Sequence, residues 1–242
     1  MQDFTNYKPN QQGSGTVAQT GLGSEALFFQ RVYAWMGAGL GLTALMAVVF
    51  AAMGLPQMIA ENGVIMIVAF VAQLGLVWYL AARINQLDPS TAKLLFLGYA
   101  ALSGVTFSII VAFYPSNIIF KAFVSTAGVY GAMAVYGLVT KRSLSGLGSF
   151  LFMGLIGLII ASVVNMFMGS STADLAICVI GVLIFAGLTA YDHQKLRVMY
   201  YNAEQESMSE DNLTRVVVLG ALALYLDFIN LFLFLLRLFS RE

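Results

Sequence analysis

An aspartate in the middle of an apolar run is the residue with the most chemistry to offer. Val216 to Leu236 reads VVVLGALALYLDFINLFLFLL, 21 residues that are apolar or small apart from Tyr225, Asp227 and Asn230. A hydrocarbon core of about 30 Å takes about 20 helical residues to cross, so the run is expected to span a membrane with Asp227 near its midpoint. A carboxylate at that depth costs about 3 kcal/mol or more unless it is paired, wetted or protonated, and such acids mark ion paths, proton sites or interhelical contacts. At helical spacing Gly220, Ala223, Asp227 and Asn230 share one face. That face is a stripe of small and polar side chains on which other helices can close, and it is the expected support of a polar path. His193 and Cys178 are the only histidine and the only cysteine. They are too few for a zinc centre or for serine or metal hydrolysis, and one cysteine excludes an internal disulfide. His193 is expected to be interfacial and not a proton relay, because it points about 100° away from Asp192 around a helix. Cys178 is expected to face lipid or to be packed.

These side chains need elements that a bilayer permits. The chain is 60% hydrophobic and 10% charged, with 12 basic and 12 acidic residues, a composition outside that of water-soluble domains. Backbone groups in lipid must be satisfied within the segment, and long apolar runs without alternation leave only helices. Seven spans are expected, at about 33–54, 63–82, 94–113, 122–140, 147–168, 175–191 and 216–236, the sixth continuing as a helix through DHQKLRVMYY. The fold class is therefore an all-α membrane protein with seven transmembrane helices. Gly37 and Gly41 have the four-residue spacing that lets helix backbones come close. Pro56 marks a turn, INQLDPSTAK a polar link, and NAEQESMSED an acidic loop. Residues 1–24 are rich in Gln, Gly, Ser and Thr and are expected to form a disordered cytoplasmic tail, leaving 25–242 as the transmembrane domain. The start lacks the pattern of a cleaved signal peptide. Seven spans put Lys8, Arg31, Arg83, Lys93, Lys141, Arg142, Lys195, Arg197 and Arg215 on one side and Lys121, Arg237 and Arg241 on the other. That bias predicts a cytoplasmic N-terminus and a C-terminus outside. A re-entrant last span would bring Arg237 and Arg241 to the cytoplasmic side and raise the bias.

GALALYLDFINLFLFLLRLF at 220–239, GLTAYDHQKLR at 187–197 and RINQLDPSTAKLLFLGYAALSGVTFS at 83–108 resemble the BAX-inhibitor, or transmembrane BAX inhibitor motif, family, and most of all its bacterial inner-membrane members. The resemblance covers the chain from about residue 25. It implies a bundle of six helices around a central seventh, in the inner membrane, and there the outside C-terminus given by the charge bias would be periplasmic. It also implies a pH-sensitive calcium leak governed by two aspartates on the last two helices, which match Asp192 and Asp227. An arginine on the second helix that pairs with an aspartate would match Arg83. The acid that some members carry within the second span is absent here, where Gln73 is the polar residue.

Asp227 lies about eleven residues, roughly 17 Å, in from Val216. Asp192 reaches the same level if the sixth helix runs on to near Asn202. Two full charges 4 Å apart at an effective dielectric of 20 repel by about 4 kcal/mol, so such a pair is expected to compete for one proton near neutrality. Ionised, the pair would attract hard divalent cations and hold Ca2+ transiently in transit. Structural readings stand beside these: Asp227 as a hydrogen-bond partner of a neighbouring helix, Asp192 as a solvated helix end, Arg83 as a topology signal. Two other functions also remain open. One is a non-conducting regulator that binds a quality-control protease or another membrane protein. The other is an intramembrane aspartyl protease, against which stands the absence of Gly-x-Gly-Asp and Pro-Ala-Leu segments. No phosphate loop, nucleotide fingerprint or basic nucleic-acid patch is present, so the expected partners are the lipid bilayer, calcium ions and a membrane protein, with no cofactor beyond the permeant ion.

Overall fold

A computed structural model describes residues 25–206 and 208–241, and every regular element among them is helical. Helix α1 (Glu25–Ala52) is followed by the short α2 (Leu55–Glu61), α3 (Val64–Arg83), α4 (Pro89–Phe113), α5 (Ser116–Val139), α6 (Ser145–Met168), α7 (Ser171–Gln205) and α8 (Glu210–Phe239). All but α2 are long and apolar enough to cross a membrane, which gives the seven spans expected. The sixth span continues well past Tyr191, as its sequence pattern predicted. The 1–24 tail lies outside the described residues.

The helix ends follow from their capping chemistry. Ser170 and Ser209 accept the amides of Ala173 and Asn212, and acidic residues sit in the first turns of α7 and α8. These carboxylates and Arg237 in the last turn of α8 suit the helix dipoles. Gly169 ends α6 in the left-handed region, at φ 63°. Three connections are more helical than expected. Pro56 opens α2 instead of a turn, because its fixed φ suits the first helical turn. Pro89 does the same for α4, which shortens the polar link to 84–88. The acidic loop shrinks to 206–209, since Asn202 to Gln205 stay in α7 and Glu210 already begins α8.

Helix α8 lies at the centre, packed directly on α1, α4, α5 and α7, while α3 leans on α4 and α6 on α7. Its most apolar window is 67% buried, against 11% for α3. The outer helices turn Phe70, Trp78, Phe150 and Phe167 outward, where lipid is the solvent.

Close approach is made by other glycines than the spacing indicated. Gly37 and Gly41 are exposed, and a Cβ at either would meet nothing within 4 Å. The tight crossing of α1 and α4 is at Gly104, where a Cβ would stand 2.5 Å from Met46 Cβ and 3.1 Å from the Ala47 amide nitrogen. Gly37→Ala and Gly41→Ala are therefore expected to change stability by no more than about 0.5 kcal/mol. Gly104→Ala should cost about 1–3 kcal/mol through overpacking, read as thermal unfolding midpoints in detergent.

The two ends of the bundle carry different clamps. At one end Arg31 pairs with Glu210 at 2.7 Å and Arg197 with Glu25 at 2.9 Å, and Arg215 donates to the Leu87 carbonyl. At the other, Asp174 takes both Arg237 and Arg241, and Lys121 lies over the Phe239 ring.

Candidate functional site

The site forms where α7 and α8 cross, and small residues let them come together. A Cβ at Gly220 would sit 2.6 Å from Leu196, and one at Gly181 would sit 2.7 Å from Phe234. Between these two contacts, Asp192 and Asp227 bring their carboxyl groups within hydrogen-bonding reach of each other. Asp227 is buried at 5% exposure, Asp192 is half-buried, and Asp227 Oδ2 has no hydrogen-bond donor among the described residues. Ionised carboxyls only accept, so two of them face to face make a hydrogen bond only with a proton between them. The arrangement is thus one in which a single proton can be shared between the two carboxyls.

The residues expected to support the pair divide. Gly220 provides the close crossing with α7, and Ala223 is half-buried. Asn230 instead donates its amide to the Leu226 carbonyl of its own helix at 2.8 Å, so it gives the pair nothing. Arg83 is exposed and bonded to Gln86 at 2.7 Å, so the latch with an aspartate is not made here. A residue at the very end of α3, on the outer layer of the bundle, cannot follow the α7–α8 crossing inward. The cation whose field reaches both carboxyls is Lys195, on the same helix as Asp192. A shallow recess lined by Ser145, Tyr191, Gln194, Lys195 and Val198 lies beside it, and Gln194 ties α7 to the α5–α6 connection by donating to the Arg142 carbonyl.

His193 is not interfacial. It is fully buried, with Nδ1 2.6 Å from the Thr189 carbonyl and its ring among Phe29, Tyr33 and Tyr130. Burial of α7 on several sides, with α1, α5, α6 and α8 all against it, leaves the neighbour of Asp192 no route to an interface. Cys178 is packed and buried.

Sequence reasoning missed two groups. Tyr130 of α5 packs against both His193 and Phe228, the residue after Asp227, and donates its hydroxyl to Met36 Sδ at 3.3 Å. On the opposite face of α8, buried Tyr225 meets Thr43 at 2.7 Å. Thr43 gives its one hydroxyl proton to the Ala100 carbonyl, so Tyr225 is the donor to Thr43. Nearby, Gln73 of α3 donates to Ser103 of α4 at 3.2 Å, the use to which the polar residue of that span is put. Thr43 and Gln73 inside apolar runs were the available signal.

The comparisons with known proteins agree with this architecture. The family model described as inhibitor of apoptosis-promoting Bax1 matches residues 25–242. The chain is similar to inner membrane protein YbhL of Escherichia coli K12, 44% identical over 230 residues that cover 95% of this chain and 97% of that protein. It is also 44% identical over 218 residues to a protein of Deinococcus radiodurans, covering 87% and 89%, and 38% identical over 211 residues to protein RP147 of Rickettsia prowazekii, covering 87% of each. With a seven-span helical bundle, a match over its whole described length and these relatives, the chain belongs to the BAX-inhibitor family of membrane proteins.

Proposed function

We propose that the protein is a pH-sensitive cation leak of the bacterial inner membrane, passing calcium and gated by the Asp192–Asp227 pair. The observation that carries this reading is the meeting of the two carboxyls at the α7–α8 crossing, one of them sealed inside the bundle. With one shared proton the pair ties α7 to α8, and the path is closed. Loss of the proton sets two like charges against each other, opens the crossing and offers oxygen ligands to a hard divalent ion. Lys195 takes the compensating role first given to Arg83. The nine-to-three bias of Lys and Arg supports a cytoplasmic N-terminus and a periplasmic C-terminus. The E. coli relative, an inner membrane protein by name, supports the inner membrane.

The test is calcium uptake by vesicles holding the purified protein and an internal indicator, between about pH 6 and pH 8. Uptake is expected to rise with pH in the wild type and to be flat in Asp192→Asn. An Asp192→Asn response that follows the wild type defeats the gating scheme. Vesicles that stay tight until a membrane protease or another membrane protein is added favour the regulator reading.

A further inference from the structure

We propose that the α5–α6 connection and the adjoining turn of α7 bind the headgroup of an anionic phospholipid, with Lys141, Arg142 and Lys195 as the cations of the site. The inference depends neither on ion flux nor on the titration of the acid pair.

Its starting point is how the basic side chains are used. Arg31, Arg197, Arg237 and Arg241 are in ion pairs, Arg83 and Arg215 bond neutral oxygens, and Lys93 and Lys121 lie over aromatic rings. Among the described residues, the side chains of Lys141, Arg142 and Lys195 alone have no such partner. All three are exposed, and no acidic residue lies between Thr140 and Phe150. Lys195 also feels the Asp192–Asp227 pair, but with a shared proton that pair sets one negative charge against three positive ones.

Gln194 gathers the three cations. Its amide nitrogen donates to the Arg142 carbonyl at 2.9 Å, and its amide oxygen accepts the Leu144 amide at 2.7 Å. The connection is thereby held against α7 one residue from Lys195, with Leu144 buried beneath it. On the other side, Gly148 lets the Tyr191 ring lie directly on α6, since a Cβ there would stand 2.4 Å from that ring. The recess between α6 and α7 therefore has the Ser145 and Tyr191 hydroxyls and the Lys195 ammonium on its wall.

The position of the recess points to a lipid. Helix α5 ends at Val139 and α6 begins at Ser145, and both are spans, so the recess lies where the bilayer meets water. Basic pockets between span ends suit anionic headgroups. The Arg142 guanidinium can hold two phosphate oxygens at once, while the lysines act as point charges. Leu147 and Phe150, in the first two turns of α6, are exposed and offer an apolar wall to acyl chains, which a free anion would not use.

Native mass spectrometry of the full chain in detergent, with phosphatidylglycerol and phosphatidylcholine added at equal concentration, reads the preference. Both lipids carry a phosphate, but choline cancels its charge. The wild type is expected to hold phosphatidylglycerol about tenfold more tightly, and Lys141→Gln/Arg142→Gln to hold the two alike. Lys195→Gln gives the same comparison if the double variant does not fold. Lys121→Gln, which removes a charge at the opposite end of the bundle, should keep the wild-type preference. A preference that survives loss of the cations at the recess, or that Lys121→Gln abolishes as well, overturns the site. Displacement of phosphatidylglycerol by inorganic phosphate at millimolar concentration would make the ligand a free anion and overturn the lipid. Vesicles that fail to pass calcium would defeat the leak and leave this result standing.

Discussion

Asp227→Asn is expected to remove the pH response of calcium uptake and hold it at the acid value across about pH 6 to 8. Asparagine has nearly the volume of aspartic acid, so the packing of α8 against α5 and α7 is kept. What changes is the hydrogen. An amide N–H can donate to the Asp192 carboxylate at every pH, which imitates the proton-sharing form permanently. The second negative charge never develops, and the repulsion that would open the crossing, about 4 kcal/mol at 4 Å and an effective dielectric of 20, is absent. Uptake at the alkaline end should fall by at least about tenfold, equivalent to about 1.4 kcal/mol in the closed-to-open balance. The unfolding midpoint should not fall, because a neutral amide inside a bundle is no costlier than an acid that has to ionise there. A variant that unfolds at the wild-type temperature and still responds to pH like the wild type would show that Asp227 is a packing residue.

The second large effect is expected at Gly137, which touches no charged group. A Cβ there would lie 2.2 Å from the Ala190 carbonyl oxygen and 3.0 Å from Ala190 Cα, so the obstacle is backbone and cannot rotate away. Gly137→Ala must push α5 and α7 apart, at a cost of about 1–3 kcal/mol, and Gly137→Leu should prevent the bundle from assembling. Ala190 is two residues before Asp192, so the same displacement draws Asp192 off Asp227. The alanine variant should therefore lose both unfolding temperature and pH response. Gly128→Ala and Gly131→Ala are the controls on the same helix, since neither position has an atom within 4 Å of a Cβ. If Gly137→Ala melts like these controls, the α5–α7 crossing is looser than described.

Much of the architecture could be read from the residues alone because the bilayer imposes it. A backbone without water to bond must be helical, and an apolar run of about 20 residues must cross. Span number and the central place of Asp227 in its run follow from that constraint, and the extension of α7 beyond Tyr191 from the helical pattern of DHQKLRVMYY. The rotation of each helix about its axis does not. In a soluble protein polar residues mark the outer face, but lipid is as apolar as the bundle interior. Helix α1 shows the consequence. Its Gly37 and Gly41 have the right spacing for a crossing and point outward, while Gly39, between them, faces Phe96 and Tyr225.

The site divides along the same line. The sequence by itself determined that an acid would be buried in the last span, since Asp227 lies in the middle of an apolar run of 21 residues. Asp192 was the partner expected for it from the length of the sixth helix and from the resemblance. Only the tertiary structure decided the surroundings: Tyr130 from α5, and a His193 sealed by rings from α1 and α5 when its neighbours in sequence suggested an interface. It also decided that Arg83 is spent on Gln86 and Asn230 on Leu226. Depth in a membrane is set by counting residues along one helix. A partner is set by the angle at which two helices cross, and that angle depends on small residues and ring contacts contributed by several helices at once.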